Sequence, residues 1–303
     1  MNALLLFLLM LFTADGAWAD TASEPGDQVI RLGVSTRTFP AANRNDALAA
    51  LRVWADTVIR ERSLQEYVEI SLYDSAEALH TAFALGGIDA ASLTTEEIML
   101  LGLRPDFIYI PFKDQGFEVR YVLLARRDGV VRDLAGLVAQ RLTFFDDSAT
   151  ILAMPWLETL LAEVAGQPIE RPLMNLVEVD SPSKAILQVF FRQAQTALVT
   201  LEAFELACEL NPQLRQELMV LHESQPFVTA FFVFNPDWRG TARDRLEEAI
   251  VSLHETPGGQ QVLTVFQSAR MSRQPSSVLD ATRQFLEDYR RLMGDLPARK
   301  TPP

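Results

Sequence analysis

The apolar positions of this chain follow two rhythms that alternate along its length. Val29–Val34, Val68–Leu72 and Ile88–Leu93 are short β-branched runs bounded by turn residues, which predicts strands. Between them, Leu48, Leu51, Trp54 and Val58 recur at helical spacing behind a capping Asp46, and a second helix opens at Ser75. Strand alternating with helix predicts a β-α-β-α-β lobe with a mainly parallel sheet flanked by helices.

The same rhythm resumes further on. Phe107–Pro111 and Val119–Ala125 read as strands, the second closed by the charged turn Arg126–Gly129. A strand at 141–145, a turn at 146–150 and a helix through Met154, Leu157, Leu160, Leu161 and Val164, stopped by Gly166, begin a second lobe. Phe227–Phe234 is apolar throughout, as in a strand buried on both faces. Two helices close the pattern, Ala242–Glu255 and Ser277–Met293, the latter with Leu279, Thr282, Phe285, Tyr289 and Leu292 on one face. They are expected on the first lobe. The chain then crosses between lobes twice, near 117–126 and 224–232. The predicted division is 28–118 with 230–303 as one lobe, and 119–229, with both hinge crossings, as the other.

The two lobes resemble each other. Shifting the chain by 106 residues lays Asp74, Ser75, Ala91, Thr94 and Glu96 on Asp180, Ser181, Ala197, Thr200 and Glu202 without a gap. Two similar lobes enclose a cleft, and clefts at such interfaces take small ligands.

Ala3–Phe12 is an apolar run too short for a bilayer span, which needs about 20 residues. Ala17-Trp18-Ala19 before Asp20 has the small-x-small form of a cleavage site, so residues 1–19 are read as a cleavable secretory signal peptide, although they carry no Lys or Arg. The expected product is a periplasmic monomer. A net charge of −13 disfavours nucleic acid and anionic membranes. The single cysteine, Cys208, lies in an apolar pattern and is read as a buried small hydrophobe.

Catalysis finds little support. His80, His222 and His254 have no partners at metal-ligand spacing, and Ser148 lacks a Gly-x-Ser-x-Gly frame. No metal or cofactor is expected. Hydroxyl-rich turns are more telling. A Ser/Thr turn before a helix offers hydroxyls and unpaired N–H groups at the positive end of the helix dipole, which suits an oxyanion. Ser148 and Thr150 provide such a turn in the second lobe. Ser35 and Thr36, with Arg37 as a charged donor, and Ser92, Thr94 and Thr95 provide it in the first. Tyr121 and Ser181 complete the candidate set. Ordinary helix capping is the competing use of these residues.

The order of the pieces resembles the phosphonate-type periplasmic substrate-binding proteins of ABC importers. The matching segments are Leu32-Gly33-Val34, Ala84–Ala91 with its Gly86-Gly87-Ile88-Asp89, and Leu123–Gly129. Phe145–Thr150 matches a strand–Asp–Ser-x-Thr phrase, and Ser224–Pro236 a Ser-Gln-Pro-Phe…Asn-Pro return. The resemblance implies a two-lobed type II α/β fold and a small anionic ligand, a phosphonate or related oxyanion, held between the lobes. It also implies delivery to an ABC permease; the alternative is docking on the periplasmic domain of a membrane sensor kinase. Three positions depart from the family pattern, all in the second lobe. Ile151 stands where a glycine is usual, the turn Asp180–Ser183 has no His, and Gln193-Ala194-Gln195 replaces a Gly-x-x-Asp.

Overall fold

The computed structural model describes residues 29–38, 44–64, 66–113, 116–137, 140–147, 149–168, 175–265 and 268–294. The leader reading, 1–19, lies outside them.

The first part of the chain forms β1 (Val29–Ser35), α1 (Arg44–Glu61), β2 (Tyr67–Tyr73), α2 (Ala76–Ala84), β3 (Ala90–Thr94), α3 (Thr95–Leu101) and β4 (Phe107–Phe112). The second part forms β5 (Tyr121–Arg126), β6 (Arg141–Phe144), α4 (Ala153–Ala165), β7 (Asn175–Glu178), α5 (Pro182–Phe190), β8 (Thr196–Thr200), α6 (Leu201–Leu210), α7 (Gln213–Glu217) and β9 (Leu218–Glu223). The chain then returns through β10 (Ala230–Phe234), α8 (Thr241–Val251), α9 (Pro257–Val265), β11 (Arg270–Pro275) and α10 (Asp280–Met293).

These strands make two mixed sheets. The first has the order β11-β4-β10-β3-β1-β2 and the second β7-β6-β8-β5-β9. Each keeps a parallel trio, β2-β1-β3 and β7-β6-β8, as the βαβ rhythm predicts. β5 and β10, which enter their sheets from the opposite lobe, pair antiparallel with their neighbours, and β11 pairs antiparallel with β4. The two crossings also pair with each other, Val119 opposite Phe227.

The duplicated residues have duplicated jobs. Ser75 and Ser181 accept the N–H groups of Ala78 and Lys184 and cap α2 and α5. Thr94 and Thr200 accept those of Glu97 and Ala203 and cap α3 and α6.

The closing segment differs from the expectation of two helices. It holds three, with β11 paired along β4, in the polar sequence Arg270–Pro275 that an edge strand tolerates. The expected placement on the first lobe also needs correction. α8 and α9 do pack there, against α1 and β11. α10 lies against α3 and α4 together, and its Leu286 is buried in the second lobe's core with Trp156, Leu157 and Phe227. Its apolar stripe is long enough to serve two cores: Leu279, in the turn just before it, is buried in the first.

The segments that carried the resemblance are structural. Asp89 receives the Arg31 backbone N–H and guanidinium at 2.8–3.0 Å, and Asn235 donates to the Ile88 carbonyl at 3.0 Å. Gly86 supplies the left-handed turn that the segment needs, with φ +66°. All this lies at the end of the first sheet opposite Ser35 and Thr94.

Candidate functional site

Strand C-termini and the helix N-termini that follow them face the space between two such lobes. Ser35 ends β1 and Thr94 ends β3, and both are buried. Both meet the same residue, Glu97. Ser35 Oγ donates to Glu97 Oε1 at 2.5 Å, while Glu97 Oε2 accepts the Thr94 N–H at 2.8 Å. Thr94 Oγ1 in turn accepts the Glu97 N–H at 3.2 Å, closing a capping box. Glu97 is itself 1% exposed, so a carboxylate of the protein holds the donors of this helix start.

Thr36 donates to the Tyr73 carbonyl at 3.3 Å and Arg37 pairs with Glu96 at 2.5 Å. Arg290 of α10 approaches the other Glu96 oxygen at 3.8 Å. Ser92, half-buried, stands between Val34 and Phe232 in the sheet. Thr95 donates to the Val228 carbonyl in the return crossing at 2.5 Å.

The second lobe repeats this arrangement with different residues. Ser148 lies outside the described residues. Its neighbours form a turn centred on Asp147, whose Oδ1 accepts the N–H groups of Ala149 and Thr150, each at 2.9 Å. Thr150 Oγ1 donates to the Phe145 carbonyl and accepts the Asp147 N–H, at 2.9 and 2.8 Å. A hydroxyl has one proton, so Thr150 has none left for a ligand. Tyr121, fully buried between Phe227 and Trp156, fixes the turn from below by donating to the Ala149 carbonyl at 2.8 Å. Burial pushes its phenol well above the ordinary tyrosine range. Ser181 caps α5, and the neighbouring Asp180 pairs with Lys184.

Of the predicted hydroxyls, Thr94, Thr95, Thr150 and Ser181 fall at or near helix starts while Ser35 and Ser92 lie in strands, and most of those described serve as caps or turn bonds. Glu97, which takes the first-lobe donors, was missed, while Asp147 lies in the turn expected at 146–150 and takes the second-lobe amides. Glu97 was legible, since Thr94-Thr95-Glu96-Glu97 has the capping-box spacing. Asp147 carried a weaker signal, an acidic residue two and three positions ahead of the amides that it caps.

The crossings between lobes are tightly bonded. Ser224 Oγ accepts the Tyr121 N–H at 2.8 Å and donates to the Gln225 carbonyl at 2.7 Å, while the Ser224 N–H meets the Tyr121 carbonyl. Lys113, just after β4, pairs with Glu202 of α6 at 2.9 Å, joining the lobes beside the hinge. Among the described residues, no group of three or more His, Cys, Asp or Glu is placed to hold a metal ion, and no helix is long and apolar enough to cross a membrane.

Two mixed sheets flanked by helices and joined by paired crossings define a two-lobed binding-protein fold of type II. Residues 38–276 match the family model for the phosphonate periplasmic substrate-binding protein of ABC transporters, and the chain belongs to that family. No curated protein matches it significantly in sequence. Among solved structures it is similar to the binding-protein component of an ABC phosphonate transporter from Pseudomonas aeruginosa (14% identity, 91% of each chain covered, TM-score 0.58). It is similar also to a Xanthomonas citri protein bound to chloride ion (15% identity, 88% of this chain and 99% of that one, TM-score 0.61). A third is PhnD1 of Prochlorococcus marinus in complex with methylphosphonate (16% identity, 89% and 99% covered, TM-score 0.56). At these identities the structures speak for the fold.

Proposed function

We propose that this chain captures a small solute between its two lobes in the periplasm and presents it to the permease of an ABC importer. The observation that carries the reading is the pairing of two equivalent frames. Each lobe ends a strand in a threonine that caps the next helix, Thr94 before α3 and Thr200 before α6, and two bonded crossings hold the lobes together. Membership of a family of solute-binding proteins supports the same reading. Lobe closure around a ligand is the hinge motion that such a frame permits.

The lobe division that we propose is 28–118 with the segment from 230 to the turn before α10, and 119–229, with α10 lying against both. Export follows from cleavage of residues 1–19, and the working unit is a monomer.

The ligand class proposed is a small anion, a phosphonate or related oxyanion, between Ser148 and the loop at 35–37. Arg37, half-exposed, is the charged donor on the first-lobe side. Because Asp147 holds two amides of the second-lobe turn, an oxyanion seated there has to displace it. That feature favours a second reading, in which a diverged ligand drives docking on a sensor kinase rather than delivery.

A thermal-shift panel of phosphonates, phosphite, phosphate, sulfate and amino acids on the mature protein tests the proposal. A concentration-dependent rise in Tm with one class supports it, since a ligand that binds only the folded state stabilises it by mass action. Stabilisation by neutral or cationic compounds alone overturns the oxyanion reading.

A further inference from the structure

α10 stands in an unusual relation to the rest of the chain. Leu279, in the turn before it, is fully buried in the first lobe's core beside Ile108 and Phe231. One turn later, Thr282 Oγ1 accepts the N–H of Val228, in the return crossing, at 3.0 Å. Another turn on, Leu286 is 2% exposed within the second lobe's core, and Phe285 meets Phe227 edge-on at 4.8 Å. Tyr289 then donates to Glu158, a buried carboxylate on α4 of that lobe. The helix is therefore a third passage between lobes, after the two extended crossings.

Its contacts are unequal in strength. Toward the second lobe it offers two aromatic rings, a buried leucine and a hydrogen bond to a buried carboxylate. Toward the first lobe, beyond Thr282, it meets one face of α3. Glu96 and Met99 lie three residues apart on that face, and Met99 packs against the cluster that holds Leu286. Arg290 is 3.8 Å from Glu96, too long for a hydrogen bond, and its buried Nη2 has no hydrogen-bond partner. A half-exposed ion pair and a flexible methionine make a contact that can slide and part at little cost.

We propose that α10 is a strap: it pivots at 279–282, moves with the second lobe, and holds the first lobe through a releasable contact with Glu96 and Met99 of α3, Arg290 facing Glu96. The angle between lobes then depends on the C-terminal helix as well as on the crossings. This inference concerns lobe geometry and does not require any particular ligand.

The test uses the mature full chain with Cys208→Ser and spin labels at Leu85→Cys and Leu210→Cys, both about 80% exposed and one on each lobe. Pulsed dipolar spectroscopy reads the distance between them. Arg290→Glu, which sets a carboxylate against Glu96, is expected to shift or broaden the distance distribution, with the longer-distance population rising severalfold. Arg290→Lys is expected to keep the wild-type distribution. An unchanged distribution in Arg290→Glu overturns the proposal. A second readout tests the anchoring. Hydrogen exchange of Leu286→Ala is expected to quicken in β5 and α4 and to leave β1 and β3 as in wild type. Loss of protection in β1 and β3 instead would place the strap on the wrong lobe and overturn the inference.

Discussion

The Asp147 carboxylate lies 2.9 Å from the amide of Thr150, at the turn before α4 where the proposed oxyanion would sit. The protein carries its own anion there. Asp147→Ala should uncover the Ala149 and Thr150 amides and cost about 1 kcal/mol, as for the loss of a helix-start cap. Adding an oxyanion should then recover part of that loss. The expected result is a lower Tm without ligand and a larger shift with methylphosphonate or phosphate than in wild type. An equal shift in both proteins would mean that this turn is not the seat.

Thr150→Val should not be silent. Its hydroxyl joins Phe145 to Asp147 at 2.9 and 2.8 Å in a buried turn, and removing it strands a carbonyl and an amide. The expected cost is about 1–3 kcal/mol in urea unfolding without ligand. A change below about 0.5 kcal/mol, within the range of surface substitutions, would contradict the described turn.

Tyr121 predicts an alkaline limb. Its folded-state pKa is raised by burial, so its contribution is fully present below the unfolded value near 10 and is lost as pH rises beyond it. Tyr109, raised first by burial and then by Glu247, adds to the same slope. Stability should fall from about pH 10 upward. Tyr121→Phe should flatten part of that fall, while costing about 1–3 kcal/mol at neutral pH by stranding the Ala149 carbonyl. A slope that Tyr121→Phe leaves unchanged would contradict the burial argument.

The two caps should differ in weight. Thr94 is buried inside a closed box with Glu97, whereas Thr200 is half-buried and caps α6 alone. Thr94→Ala should cost about 2 kcal/mol and Thr200→Ala about 1 kcal/mol, the upper and middle of the capping range. In the double variant the two costs should add, since they belong to separate helices. Equal costs would mean that the buried box adds nothing.

Much of this was legible because the signals are local. Val29–Val34 and Val68–Leu72 declared their strands by β-branching, and Ser75 and Ser181 their helices by capping. The less legible parts rest on contacts distant in sequence. β11 is polar because an edge strand is half solvated, so its residues lack the alternation that marks β1. α10 showed a clear apolar face, yet periodicity gives a helix's face and not its neighbours; that Leu279 and Leu286 enter different cores depends on where the crossings lie. The hydroxyls of Thr94 and Thr150 fall at or just before helix starts, and that of Ser35 at the end of β1. Their occupation by Glu97 and Asp147 follows from packing across 62 residues in one case and from a tight turn in the other.

The central claim is a single solute site formed by both lobes. Titration calorimetry of the stabilising solute against the wild type, Arg37→Ala and Ser148→Ala tests it most directly. The account predicts one site per chain, and affinity at least tenfold weaker when either lobe's candidate is removed, the loss expected for one hydrogen bond to a charged group. Two independent sites, or an affinity that neither substitution changes, would contradict it.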